Sequence, residues 1–327
     1  MTEFNLYPLG DFTLQSGQIL ENAQLAYKTY GILNNDKNNV ILYPTWYSGF
    51  ISDNEWLIGS NMALNPEKYF IIVVCLLGNG QSTSPGNSVD SYSLEFIKIS
   101  LYDNVLAQHR LLTELWSIDY IQLVIGWSMG AQQTYQWACL YPNMVRRALP
   151  FCGSAKTSPH NFVFLEGLRN VLLLNISKEE KLRTFARIYA GWGFSQPFYK
   201  DEKWRELGYS NLEDFLVGFW ENFFSKRQPE NLATLIWTWQ YGDISNNPVY
   251  NGNFKDAMQS IRAKVTILSP HIDLYFPKED NLEESDIITN CKLEIIPGVW
   301  GHFAGVGINS KDTEFIDRCI RDILSDL

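Results

Sequence analysis

Short runs of almost uninterrupted apolar residues, spaced by helical patterns, constrain this chain more than any other feature. From Gln24, "QLAYKTYG" alternates as a strand ending at Gly31, and "NVILYPTW", "KYFIIVVCLLG", "YIQLVIG", "RRALPFCG", "AKVTILSP" and "KLEIIPG" follow as further strands. Between them lie stretches such as "SLYDNVLAQHRLLTELW", where Val105, Leu106, His109, Leu112 and Trp116 recur at spacings of three and four. A strand that is apolar on both sides must be covered on both faces, and helices that alternate with strands supply the cover. The expectation is an α/β fold with a mostly parallel sheet between helical layers. Residues 157–248 break the alternation. They contain helical segments rich in Trp and Phe, including Trp192, Phe194, Phe219, Trp220 and Trp239. We read them as a helical lid inserted into a core made of residues 1–156 and 249–327, with most rings forming the lid's own interior and some facing down onto the core.

One strand–helix junction carries chemistry. "YIQLVI" runs into Gly126-Trp127-Ser128-Met129-Gly130, and "AQQTYQWACLYP" resumes as a helix. This is G-x-S-x-G in its expected context: a tight turn strains the backbone at Ser128, small neighbours relieve the crowding, and the hydroxyl stands clear at the sheet edge. A serine hydroxyl is inert at neutral pH, so it needs a base, and the base needs a partner that orients it. His302, in the loop "PGVWGHFAG" after the last strand, stands where the base should be. Asp273, delivered by "AKVTILSPHID", is the preferred acid over Glu279 and Asp280, which open a helix. The oxyanion requires two backbone donors. The Met129 amide is one, and Trp46 or Tyr47 in "PTWYSG" offers the other.

Composition narrows the function classes. A net charge of −10 with scattered lysines and arginines offers no basic stripe for nucleic acid. No apolar run approaches a membrane span, and the start of the chain has no secretory pattern, so neither a membrane nor an export route is expected. Five widely spaced cysteines read as free thiols in a reducing cytoplasm. No metal-binding spacing occurs, so neither a metal nor a resident cofactor is expected.

The segments "AYKTYGILNNDKNNVIL", "EKYFIIVVCLLGNGQSTSPGN", "ISLYDNVLAQHRLL", "LVIGWSMGAQQTYQWACLYP", "DLYFP" and "GHFAG" together resemble the homoserine O-acetyltransferase family of α/β-hydrolases. That resemblance implies an α/β-hydrolase fold and a Ser128–Asp273–His302 triad. It also implies acyl transfer from a thioester such as acyl-CoA, through an acyl-serine, to an alcohol; a homodimer through the lid is a further implication. Arg169, twelfth in "SPHNFVFLEGLR", matches an arginine that grips the acceptor's carboxylate; a solvated residue near a helix end is the plain alternative. The chain departs from the pattern at three points. "PTWYSG" replaces a loop with a His and small residues, Trp127 replaces a glycine, and Phe303 stands where an Asp usually holds the acceptor's amine. These changes favour a larger or more apolar substrate than homoserine, and contacts from Trp127 and Phe303 to it. The expected activity is acyl transfer from acyl-CoA to an alcohol, with ester hydrolysis by the same triad as the alternative.

Overall fold

The computed structural model describes residues 4–87 and 97–325. Its strands are β1 (Asn5–Thr13), β2 (Ile19–Tyr30), β3 (Val40–Pro44), β4 (Phe70–Val74), β5 (Leu123–Trp127), β6 (Arg147–Phe151), β7 (Lys264–Pro270) and β8 (Cys291–Ile296). They form one sheet in the order β1-β2-β4-β3-β5-β6-β7-β8. From β4 through β8 neighbours are parallel, whereas β1 pairs with β2, and β2 with β4, antiparallel. The central strands β3 to β6 are buried at every position, as their unbroken apolar sequences require.

The strand β1 is an addition to the sequence reading, which places the first strand at Gln24. Pro8 and Gly10 disguise it, and both sit at irregularities of its pairing with β2, where an edge strand tolerates them. Helix α1 (Leu101–Trp116) also departs from expectation. Its apolar spacing predicts Leu106, His109 and Trp116 inside, yet all are only partly buried, while Asn104 and Gln108 are buried. Hydrogen bonds make that possible: Asn104 accepts the Leu77 amide, and Gln108 bridges Gln133 and Trp137.

Helix α2 (Met129–Leu140) follows β5, and after β6 the chain rises into the insertion. Helices α3 (Pro159–Leu173), α4 (Lys178–Gly193), α5 (Gln196–Lys200), α6 (Leu212–Phe215), α7 (Asn222–Ser225) and α8 (Pro229–Gln240) form a cap over the sheet's C-terminal edge. The chain leaves and returns through a narrow neck. The Thr157 amide donates to Gly242, the Ile244 amide donates to Ala155, and Lys156 pairs with Asp243. Helices α9 (Phe254–Gln259), α10 (Lys278–Ile287) and α11 (Ser310–Ser325) complete the core. Among the described residues no helix is long and apolar enough to cross a membrane.

Two local constraints fix the edge of the sheet where the cap sits. At the β5–α2 bend, a Cβ on Gly126 would overlap the Gly130 carbonyl. A Cβ on Gly130 would come 2.9 Å from the Pro44 carbonyl at the end of β3. The missing side chains therefore let strand, helix and neighbouring strand end crowd together. On the other side of β6, α10 is fastened by a buried carboxyl. Glu284 accepts from the Ala155 amide at 2.6 Å, Tyr135 Oη at 2.8 Å and Asn281 Nδ2 at 2.9 Å. Burial outweighs these donors and pushes the carboxyl up to about 7.

Two outcomes follow from these constraints. Gly126→Ala has only backbone to push against, so it should cost at least about 1–3 kcal/mol of stability, read by denaturant unfolding. A raised carboxyl pKa in the folded state means that Glu284's contribution is complete below pH 4.5 and is lost as pH climbs to about 7. Glu284→Gln should flatten the fall in unfolding midpoint over that window; an unchanged slope would show that another group titrates there.

Candidate active site

Ser128, Asp273 and His302 meet at the C-terminal ends of β5, β7 and β8, because parallel strands deliver their following loops to one edge. Ser128 adopts φ 57° and ψ −121°, a strained conformation for a residue with a Cβ, as the bend between Gly126 and Gly130 demands. His302 Nε2 lies 2.9 Å from Ser128 Oγ, and Nδ1 lies 2.8 Å from Asp273 Oδ2. The other Asp273 oxygen accepts the amides of Tyr275 at 2.8 Å and Phe276 at 3.1 Å. This turn fixes the carboxylate, and "DLYF" contains its signal: an Asp whose side chain binds the backbone two and three residues on. The sequence alone assigns those amides no part.

The imidazole is clamped on its faces as well as at its nitrogens. Trp127 packs against it with centroids 4.7 Å apart and donates Nε1–H to the His302 carbonyl at 3.2 Å. Tyr275 meets it edge-on at 4.7 Å. Trp127, assigned to the substrate from the sequence, thus lies where it holds the histidine loop. Ser128 and His302 are only 2% and 1% exposed, so bulk water is kept from the triad in this arrangement. The other histidines lie elsewhere. His109 stacks on Tyr141, His160 packs beside Trp192, and His271 is exposed after β7.

Candidate oxyanion donors are adjacent. The Met129 amide opens α2 beyond the strained serine and donates to no described residue. The amides of Trp46 and Tyr47 are likewise without partners among the described residues. Their loop is drawn to α2 by the close approach of Pro44 to Gly130 and by Gln133 Nε2, which donates to the Thr45 carbonyl at 2.9 Å. "LLGNGQSTSPGN" lies behind the same loop, where Asn79 Nδ2 donates to the Gly49 carbonyl at 2.9 Å.

The surroundings are aromatic. Trp46 meets Trp127 edge-on at 4.5 Å, and Phe303 packs against Trp127 at 5.9 Å. From the cap, Trp220 reaches Phe303 at 4.9 Å, Tyr189 stacks on Tyr47 at 6.1 Å, and Trp239 leans on Tyr47 at 5.4 Å. Cap rings thus seal the site while also forming the cap's interior. Arg169 forms no hydrogen bond or ion pair with Ser128, Asp273 or His302 among the described residues. It sits a third exposed on the flank of α3, with Glu166 at 4.0 Å as its ion-pair partner. Among the described residues no cluster of side chains suits a metal ion.

No family model matches the chain. It is 36% identical to an ethyl acetate hydrolase of Pseudomonas veronii over 335 residues, 98% of this chain and 95% of that protein. The structure of an acetylester hydrolase from Corynebacterium glutamicum superposes with a TM-score of 0.95 at 35% identity, covering 99% of this chain and 96% of the other. A homoserine O-acetyltransferase of Chlorobium chlorochromatii stands further off, at 24% identity over 97% of this chain and 93% of that protein. The balance between the two expected activities therefore shifts from acyl transfer toward ester hydrolysis. The chain belongs to the homoserine O-acetyltransferase-like family of α/β-hydrolases, and within it stands nearer to ester hydrolases than to acyltransferases.

Proposed function

We propose that this protein is a serine hydrolase of short-chain carboxylic esters, acetyl esters foremost. The observation that carries the reading is the single imidazole that touches Ser128 Oγ with one nitrogen and Asp273 with the other. In the first half-reaction His302 Nε2 takes the Ser128 proton as Oγ bonds to the ester carbonyl carbon. The oxyanion is received by the Met129 amide and by that of Trp46 or Tyr47. His302 then returns the proton to the departing alkoxide, which leaves as the alcohol. In the second half, water gives its proton to His302 and attacks the acyl-serine; the acid departs and Ser128 recovers its proton. Asp273 stays ionised and stabilises the imidazolium.

Two features weigh for hydrolysis over transfer. Arg169 pairs with Glu166, and Phe303 offers a ring where an amine would need a carboxylate. Water needs no such seat. The nearer relatives being an ethyl acetate hydrolase and an acetylester hydrolase supports an acetyl group as the acyl part. The aromatic rings that the cap packs against Tyr47 and Phe303 favour an apolar alcohol group.

A fluorophosphonate should label the wild type once and Ser128→Ala not at all; labelling that survives the substitution removes the nucleophile. Asp273→Asn should lower kcat by roughly 10⁴-fold with the fold retained. Acetyl esters should be turned over faster than hexanoyl esters of the same alcohol, with acid release unaffected by added alcohols. Release from acetyl-CoA that depends on an alcohol acceptor would instead establish the transferase.

A further inference from the structure

The loop that offers the second oxyanion donor is held from the cap by one buried cation. Arg227 lies between α7 and α8, is 6% exposed, and donates Nε–H to the Ser48 carbonyl at 2.8 Å. Ser48 follows Tyr47 directly and adopts φ 60°, in the left-handed region that a serine enters at a cost. Nothing else polar holds it there: its buried hydroxyl has no partner, and the Arg227 bond is its sole hydrogen bond among the described residues.

Arg227 is itself rigidly placed. Its guanidinium lies 3.9 Å from the Phe50 ring centroid and 4.6 Å from that of Phe223, so two aromatic faces hold it. Nη2 reaches Asp53 at 3.3 Å, and the same carboxylate oxygen accepts the Phe50 amide at 2.8 Å. Phe223 in turn stacks on Trp46 at 6.3 Å, with planes 11° apart. Both flanks of the segment 46–48 are thus held by cap residues: a ring stack at Trp46 and a charged hydrogen bond at Ser48.

We infer that Arg227 is a positioning residue for the oxyanion site, fixing the strained loop so that its amide points at the developing oxyanion only when the cap is seated. This inference rests on the ester hydrolase reading and names the residue that makes its electrostatic stabilisation depend on the cap. Oxyanion donors act because they are preorganised, so a loop free to relax loses transition-state stabilisation while ground-state binding changes little.

The test compares Arg227→Met and Arg227→Lys with the wild type on an acetyl ester, with circular dichroism and thermal melts confirming the fold. Arg227→Met should lose about 10- to 100-fold in kcat, with KM moving less than about threefold, which is short of the ~100- to 1,000-fold for deleting a donor outright. Affinity for an alkyl trifluoromethyl ketone, which forms a tetrahedral oxyanion at the serine, should fall by the same factor as kcat. Affinity for the plain ketone should hold. Arg227→Lys keeps the charge and a single donor nitrogen, so it should recover part of both losses, and it carries the test if the Met variant does not fold. A folded variant with kcat within twofold of wild type overturns the inference, as does a loss confined to KM with both ketones weakened equally. A wild-type protein that neither hydrolyses acetyl esters nor binds the trifluoromethyl ketone overturns the hydrolase reading itself, and the inference with it.

Discussion

The imidazole of His302 makes two hydrogen bonds at once, and the molecule is arranged so that neither can be traded for the other. Its partners are 174 and 29 residues away in sequence, so only tertiary structure can bring them within 3 Å. The parallel run β5-β6-β7-β8 does this by sending three separate loops to one edge. Each partner is then fixed locally. Crossing backbones around Gly126 and Gly130 hold Ser128, two backbone amides hold Asp273, and the Trp127 indole holds the histidine's own carbonyl. On the proposed reaction, such preorganisation lets a neutral hydroxyl act as a nucleophile without reorganising its surroundings.

The cap extends that rigidity and dries the site. Its rings do not merely cover the triad; they interlock with rings of the core through Phe303, Tyr47 and Trp46. In a low-dielectric, enclosed site each hydrogen bond to a developing charge counts for more than it would in water. On the proposed ester hydrolysis, water must be the group that removes the acyl part from Ser128 inside that enclosure.

The sheet and the triad were largely legible in the sequence, because both leave local signatures. Continuous apolar runs report strands buried on two faces, and a serine flanked by glycines between strand and helix reports the bend that exposes it. What escaped reading depends on contacts with no local trace. β1 carries Pro8 and Gly10 because an edge tolerates them, which hides it from any search for a central strand. The buried face of α1 is lined with amides whose partners lie on α2 and after β4, so apolar spacing alone misassigned its orientation. Arg169 stands out through a resemblance in spacing, and its ion-pair partner is Glu166, three residues back on α3. Arg227 does not stand out, since a lone arginine before "QP" looks like any loop cation until Phe50 and Phe223 close on it.

The neck at Ala155–Thr157 and Gly242–Ile244 brings the two ends of the cap segment together in a small antiparallel contact. Once the ends of a long segment are joined, each doubling of its length costs only about 0.6 kcal/mol more in closure entropy. Lineages could therefore lengthen or shorten the roof of this chamber at little cost, provided that Arg227 and Phe223 keep their hold on the floor beneath.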